Sequence, residues 1–228
     1  FRGTLWPLML GDSINWGVRA LNKEQRFAFE RLLNDDIKVA TIVGRAGTGK
    51  TLLALAAGLE KVLEQKIYHR MLITRPVIPM GDDLGFLPGT KEDKLRPWMQ
   101  PIYDNLEFLM KDCSEPSEEV NELLQRGLVE LEALTYIRGR TIPKSYILCD
   151  EAQNLSPHMI KTLITRVGEG SKIVFTGDPE QIDHPYLDES SNGLTYLVER
   201  LKGEEIRGHI TLVKGERSRV AELCATLL

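Results

Sequence analysis

The stretch GRAGTGKT, Gly44 to Thr51, decides the fold. It follows the β-branched run IKVATIV (Ile37 to Val43) and leads into TLLALAAGLEKVLEQ, whose apolar residues recur at helical spacing. It fits G-x-x-x-x-G-K-[ST] between a strand and a helix, the context that gives the pattern its meaning. Gly44, Gly47 and Gly49 let the backbone curl so that its N–H groups converge on phosphate oxygens. The positive end of the following helix adds to that field. Lys50 is then placed for the β- and γ-phosphates of a nucleotide, and the Thr51 hydroxyl for Mg²⁺. Arg45, Ala46, Thr48 and Leu52 complete the expected nucleotide-binding segment.

Two further stretches supply what this loop lacks. In YILCDEAQ, Asp150 leaves the end of an apolar strand and can hold the Mg²⁺ shell. Glu151, one step on, can take a proton from an attacking water, as a general base must. In KIVFTGDPEQID, which begins at Lys172, another apolar strand turns polar within a few residues. Gln181 there carries an amide that both donates and accepts. It can touch a γ-phosphate and a water together and change partners when the phosphate leaves. The competing reading of GDPEQ is a proline turn made of good turn residues. Gln25 has two readings as well. Its amide can read the edge of adenine, as glutamine does on DNA, or it can close a capping box with Asn22. Both stay open at this point.

Working outward, strands are expected at Arg70–Thr74, Leu128–Leu134, Tyr146–Cys149, Lys172–Phe175 and His209–Val213. Helices are expected near residues 97–111, 117–126, 158–167 and 194–202, with a last one from Arg217. Strands that read as continuous apolar runs and alternate with helices indicate an α/β fold, a mostly parallel sheet covered on both faces. Ligands of such sheets bind at the carboxyl ends of the strands, which is where all three stretches lie.

The chain has 228 residues, 42 % apolar and 27 % charged, with net charge −4, so one large domain with a real core is expected. A nucleic-acid partner would have to be held by a local basic patch, because the overall field is mildly repulsive. Cys113, Cys149 and Cys224 have no paired or metal-binding spacing and read as reduced thiols of a cytoplasmic protein. No apolar run reaches the roughly 18 residues of a membrane span. The sequence opens on Phe rather than Met, and residues 1–20 read as the trailing end of a preceding region, with the ATPase-type domain over residues 21–228.

With these residues in place the chain resembles the PhoH-like ATPase family, and most closely the branch that joins a PIN nuclease to a PhoH domain. The resemblance is carried by NKEQ, GRAGTGKTLLALAAG, TRPVIPMGDDLGFLPGTKEDKLRPWMQPIYDNL, YIRGRTIPKSYILCDEAQNLSPH, TGDPEQIDHPYLDESSNGLTY and KGERS. It implies a RecA-like P-loop core related to superfamily 1 helicases, working with ATP and Mg²⁺. It also implies ring-shaped homo-oligomers, hexamers in this family, and action on RNA in the PIN-fused branch. No PIN-like stretch is present here, so ribonuclease activity is not expected of this chain. Arg217 matches the family's late arginine, with Arg219 next in line, and is expected to reach a neighbouring subunit's ATP.

Single-stranded RNA would be held by cations beside aromatic rings. Lys91, Lys94, Arg96 and Trp98, then Arg138, Arg140 and Lys144, offer that combination; a solvated loop in which Trp98 anchors a helix start is the plainer reading. Arg75 could serve either surface. Two other functions stay open, a P-loop kinase for a small molecule and a non-catalytic module that holds nucleotide for assembly. The kinase reading lacks an arginine-bearing lid, and a GTPase would need an N-K-x-D guanine reader that is absent.

Overall fold

The computed structural model describes residues 16–77, 91–137 and 139–215. Arg138, Arg217, Arg219 and the helix expected from Arg217 lie outside the described residues, as do the side chains of Lys91 and Lys94.

Among the described residues, six strands form one parallel sheet. They are β1 (Val39–Gly44), β2 (Arg70–Arg75), β3 (Val129–Ala133), β4 (Ser145–Cys149), β5 (Lys172–Gly177) and β6 (Arg207–Leu212), in the order β3-β2-β4-β5-β1-β6. Side chains alternate between the two faces of a strand. On one face Ala40, Ile42, Met71, Ile73, Leu148 and Val174 meet α1 (Lys23–Leu33), α2 (Lys50–Leu59), α3 (Lys91–Leu109) and α4 (Pro116–Gln125). On the other, Val39, Leu72, Ile147, Ile173 and Phe175 meet α5 (Leu134–Ile137), α6 (Pro157–Ile164) and α7 (Gly193–Arg200). Such a doubly covered parallel sheet, with the phosphate loop between β1 and α2, is the RecA-like P-loop arrangement that the resemblance implies.

The register sets the rim. Cys149 lies opposite Thr74 on one side and Phe175 on the other, and Ile42 lies opposite Thr176. The residues just past β4 and β5 therefore emerge level with the start of the phosphate loop. The helix that follows this loop is buried almost all round, and it lies close to the sheet at Gly58. A Cβ there would come within 2.4 Å of Met71 Sδ and 2.9 Å of Tyr146 Cε1. Beyond Leu59 the helix widens into a π turn, Glu60–Glu64.

Three elements differ from expectation. α3 starts at Lys91 rather than near Pro97, with Pro97 and Pro101 inside it. A proline is favoured at a helix start, but both of these face solvent, where the carbonyls they leave without an N–H can bind water. α6 ends at Ile164 because Val167 leaves to form a bridge with Ile142. The short α5 directly after β3 has no periodic signature, being a single turn.

One buried charge shapes stability. Lys172, 0 % exposed at the start of β5, donates to the carbonyls of Arg31 (2.9 Å) and Asn34 (2.8 Å) at the end of α1. Burial lowers its pKa from 10.5 to about 7; Asp35 opposes that shift, while Lys61 and Lys38 add to it. Above about pH 7 the folded chain has shed a proton that the unfolded chain keeps until about 10.5, so stability rises with pH across that interval. Denaturant midpoints should therefore increase from about pH 7 to about pH 9, at up to about 1.4 kcal/mol per pH unit. Lys172→Met should remove that slope, and an unchanged slope in the variant would contradict the assignment.

Candidate active site

The loop from Gly44 to Lys50 is held by its own side chains. Gly47 and Gly49 have φ of 80° and 89°, the left-handed region that costs glycine least. The Thr48 hydroxyl donates to Arg45 O at 2.8 Å, and Lys50 Nζ donates to Gly44 O at 2.6 Å and Arg45 O at 3.0 Å. Two contacts tie the loop to the turn after β5. The Ala46 N–H donates to Asp178 Oδ2 at 2.9 Å, and Arg45 Nε lies 2.9 Å from Glu180 Oε2.

Asp150 is 3 % exposed. Its Oδ1 accepts from the Thr51 hydroxyl at 2.8 Å and from the Thr176 hydroxyl at 2.6 Å. The two residues expected to share a metal thus already touch. Glu151 follows with φ of 52°, a left-handed conformation that costs a non-glycine residue about 1 to 3 kcal/mol. That turn aims its carboxylate along the rim. Arg75 lies 3.4 Å from Glu151 Oε1, and Gln153 Nε2 donates to Oε2 at 2.6 Å. Burial pushes the Glu151 pKa above the usual glutamate value and the Asp150 charge adds to this, while Gln153, Arg75 and Lys50 pull it back.

Gln153 is the residue that sequence reasoning passed over. Its amide is fully buried. It donates to Glu151 and to Gln181 O (2.8 Å), and it accepts from the Asp178 N–H (3.1 Å). One side chain therefore joins the ends of β4 and β5. Its only signal in sequence is its place in DEAQ. Thr176 and Asp178 were likewise unassigned, although both sit in the quoted stretch around Gln181.

Glu151, Asp178, Gln181, Lys50 and Thr51 line a cavity of about 460 Å³, as do Gln25, Asn105, Val18, Arg19 and Leu21. Leu52 also lines it. Gln25 keeps parts of both readings. Its N–H donates to Asn22 Oδ1 (2.9 Å), as a capped helix requires, and its side chain accepts from Leu21 N–H (2.7 Å). Its Nε2 donates to Thr48 O (3.1 Å), inside the phosphate loop. Of the described residues before α1, Val18 is 7 % exposed within the core, and Trp16 and Ala20 pack against it.

Of the described cations expected at an RNA surface, Arg96 lines a cavity of about 530 Å³ together with Glu130 and Glu132, which are the partners of Arg140. Arg140 Nη2 is 3.1 Å from Glu132 and 3.8 Å from Glu130, which also pairs with Arg70, so its charge is spent on edge strand β3. Lys144 precedes β4 at the amino end of the strands, away from the nucleotide rim. Arg96, on α3, lies over the Tyr103 ring at 5.5 Å, with Trp98 half-buried beside it in sequence.

The family model described as PhoH-like protein matches residues 17–226. The chain belongs to this family. It is 57 % identical over 221 residues to Protein PhoH2 of Bacillus subtilis (strain 168), covering 97 % of this chain and 50 % of that protein. It is 39 % identical over 222 residues to Protein PhoH2 of Mycolicibacterium smegmatis, covering 97 % of this chain and 49 % of that one. The chain thus spans about half the length of these curated relatives. Among solved structures, the Pif1 helicase from Candida albicans is similar over 92 % of this chain and 43 % of that one, at 18 % identity and TM-score 0.43. The Sulfolobus solfataricus SWI2/SNF2 ATPase core in complex with dsDNA is similar over 94 % of this chain and 48 % of that one, at 14 % identity and TM-score 0.48. Among the described residues no helix is long and apolar enough to cross a membrane.

Proposed function

We propose that this PhoH-family chain binds ATP with Mg²⁺ in the cavity and hydrolyses it, and that hydrolysis is coupled to single-stranded RNA. The observation that carries the reading is the 2.8 Å contact between Thr51 and Asp150, with Glu151 turned onto the same rim. A hydroxyl beside a carboxylate is a hard oxygen set that fits Mg²⁺, a cation that keeps water and phosphate oxygens as its other ligands. When bound, Mg²⁺ supplies neutralising charge at the β- and γ-phosphate oxygens.

The chain's own groups do the rest. Amides of the phosphate loop other than those of Ala46 and Thr48, which donate to Asp178 and Arg45 O, meet the triphosphate, and Lys50 adds a positive charge to the same oxygens. Glu151 accepts a proton from the attacking water as the water oxygen bonds to the γ-phosphorus and the bond to the ADP oxygen breaks. Raised basicity from burial suits a base at neutral pH. Gln153 and Arg75 hold its carboxylate in place.

Gln181 is the coupling element in this reading. Its backbone is tied through Gln153 to the base, while its side chain is exposed at the cavity edge. Gln181→Ala should leave ATP affinity within about tenfold, roughly 1.4 kcal/mol, while lowering turnover and flattening any stimulation by single-stranded RNA. A larger loss of affinity would make it a binding residue instead, and RNA stimulation equal to wild type would remove it from the coupling path.

A further inference from the structure

Among the described residues β3 is the last strand on its side of the sheet, with β2 and β4 between it and the rim at Gln153 and Gln181. The Met71 N–H donates to Leu128 O at 2.8 Å, with Met71 opposite Val129. Main-chain groups of successive strand residues point to opposite sides, so Glu130 and Glu132 bond towards β2 as Leu128 O does. The N–H and C=O groups of Val129, Leu131 and Ala133 therefore point away from β2. Such an edge is a template for another strand.

The cavity of about 530 Å³ follows this edge. Val129, Glu130, Leu131 and Glu132 all line it. Consecutive side chains leave a strand on opposite faces, so a cavity that touches four residues in a row lies along the main chain. Its two flanks differ. Leu131 belongs to the face covered by α3 and α4, and there Leu95, Met99, Tyr103 and Leu124 make an apolar wall. Glu130 and Glu132 stand two residues apart on the other face, and Arg96 is the one cation in the lining among the described residues. Asn121 and Gln125 of α4 line both this cavity and a neighbouring depression that holds Glu115, Glu118, Glu119 and Glu122.

We propose that the β3 edge and the groove beside α3 and α4 take an extended segment of a partner protein as an added strand, with apolar residues alternating with Lys or Arg. Main-chain hydrogen bonds to an open edge supply affinity in this mode, and alternate side-chain pockets supply specificity. The apolar wall receives every second residue of the segment. The residues between them face Glu130 and Glu132, and the exposed carboxylates of α4 draw the same cations along the groove. A second copy of this chain fits less well, because β3 paired with itself about a two-fold axis sets Glu130 against Glu132 of the other copy, and like charges directly opposite are destabilising. Nucleic acid is repelled by the same acidic flank.

The test is selection of a phage-displayed library of random dodecapeptides on the immobilised chain, followed by fluorescence anisotropy with the selected peptides made synthetically. The expected peptides alternate apolar residues with Lys or Arg. Leu131→Pro should weaken them by about tenfold, the scale of one or two main-chain hydrogen bonds. That change removes an outward N–H and leaves the bonds to β2, a position at which an edge strand tolerates proline. Circular-dichroism melting checks its fold, and N-methylation of alternate peptide amides probes the same bonds in the unaltered chain, again with about tenfold loss. Glu118→Lys combined with Glu122→Lys, both at exposed positions, should weaken the peptides most at low salt. A library that yields no binders, or peptides indifferent both to Leu131→Pro and to N-methylation, overturns the proposal. Self-association lost in Leu131→Pro makes a second copy the occupant, and photocrosslinking of oligouridine to β3 or α4 makes the groove a nucleic-acid surface; either result overturns it as well.

Discussion

Glu151→Gln should bind ATP with Mg²⁺ as tightly as wild type and hydrolyse it at least about a hundredfold more slowly, the usual contribution of a positioned general base. The substitution keeps the shape of the side chain. The amide oxygen can still accept from Gln153, whose Nε2 stands 2.6 Å from the carboxylate. What disappears is the ability to take a proton from water. Removing one negative charge beside the phosphates would, if anything, favour the bound triphosphate. Hydrolysis at the wild-type rate would show that another group is the base, and lost ATP affinity would show that Glu151 serves binding.

Lys50→Ala should lose ATP binding by about a thousandfold. A unit charge about 4 Å from a phosphate oxygen is worth about 4 kcal/mol at an effective dielectric constant near 20, a figure typical of partly exposed sites. The loop itself should survive the change. Lys50 spans the carbonyls of Gly44 and Arg45, but Thr48, Asp178 and Glu180 also hold that loop through separate contacts. Equal ATP affinity in wild type and Lys50→Ala, measured by calorimetry, would remove the phosphate-binding assignment.

The parts of this site that were legible in sequence are those set by local geometry. A strand, a glycine-rich turn and a helix can be read from spacing alone, and so can an acidic pair at the end of an apolar strand. Contacts that depend on sheet order cannot. Thr176 meets Asp150 because β5 lies beside β4 in register, and no local pattern announces that pairing. Gln153 joins Glu151, Asp178 and Gln181 for the same reason. Trp16, Val18 and Ala20 alternate with Gly17 and Arg19 over a run too short to announce an element, so their place against the core is not legible in sequence. Partners of exposed cations are equally hard to read from sequence. Arg140 looks available in sequence, but folding sets it against Glu130 and Glu132, a pairing that spacing along the chain does not show.

Phosphate release from ATP by the unmodified chain tests the central claim most directly, measured with Mg²⁺ or with excess EDTA and with or without single-stranded RNA. The expected result is release that requires Mg²⁺ and rises when RNA is added. Tight ATP binding with no phosphate released under any of these conditions would contradict it and leave a module that only holds nucleotide.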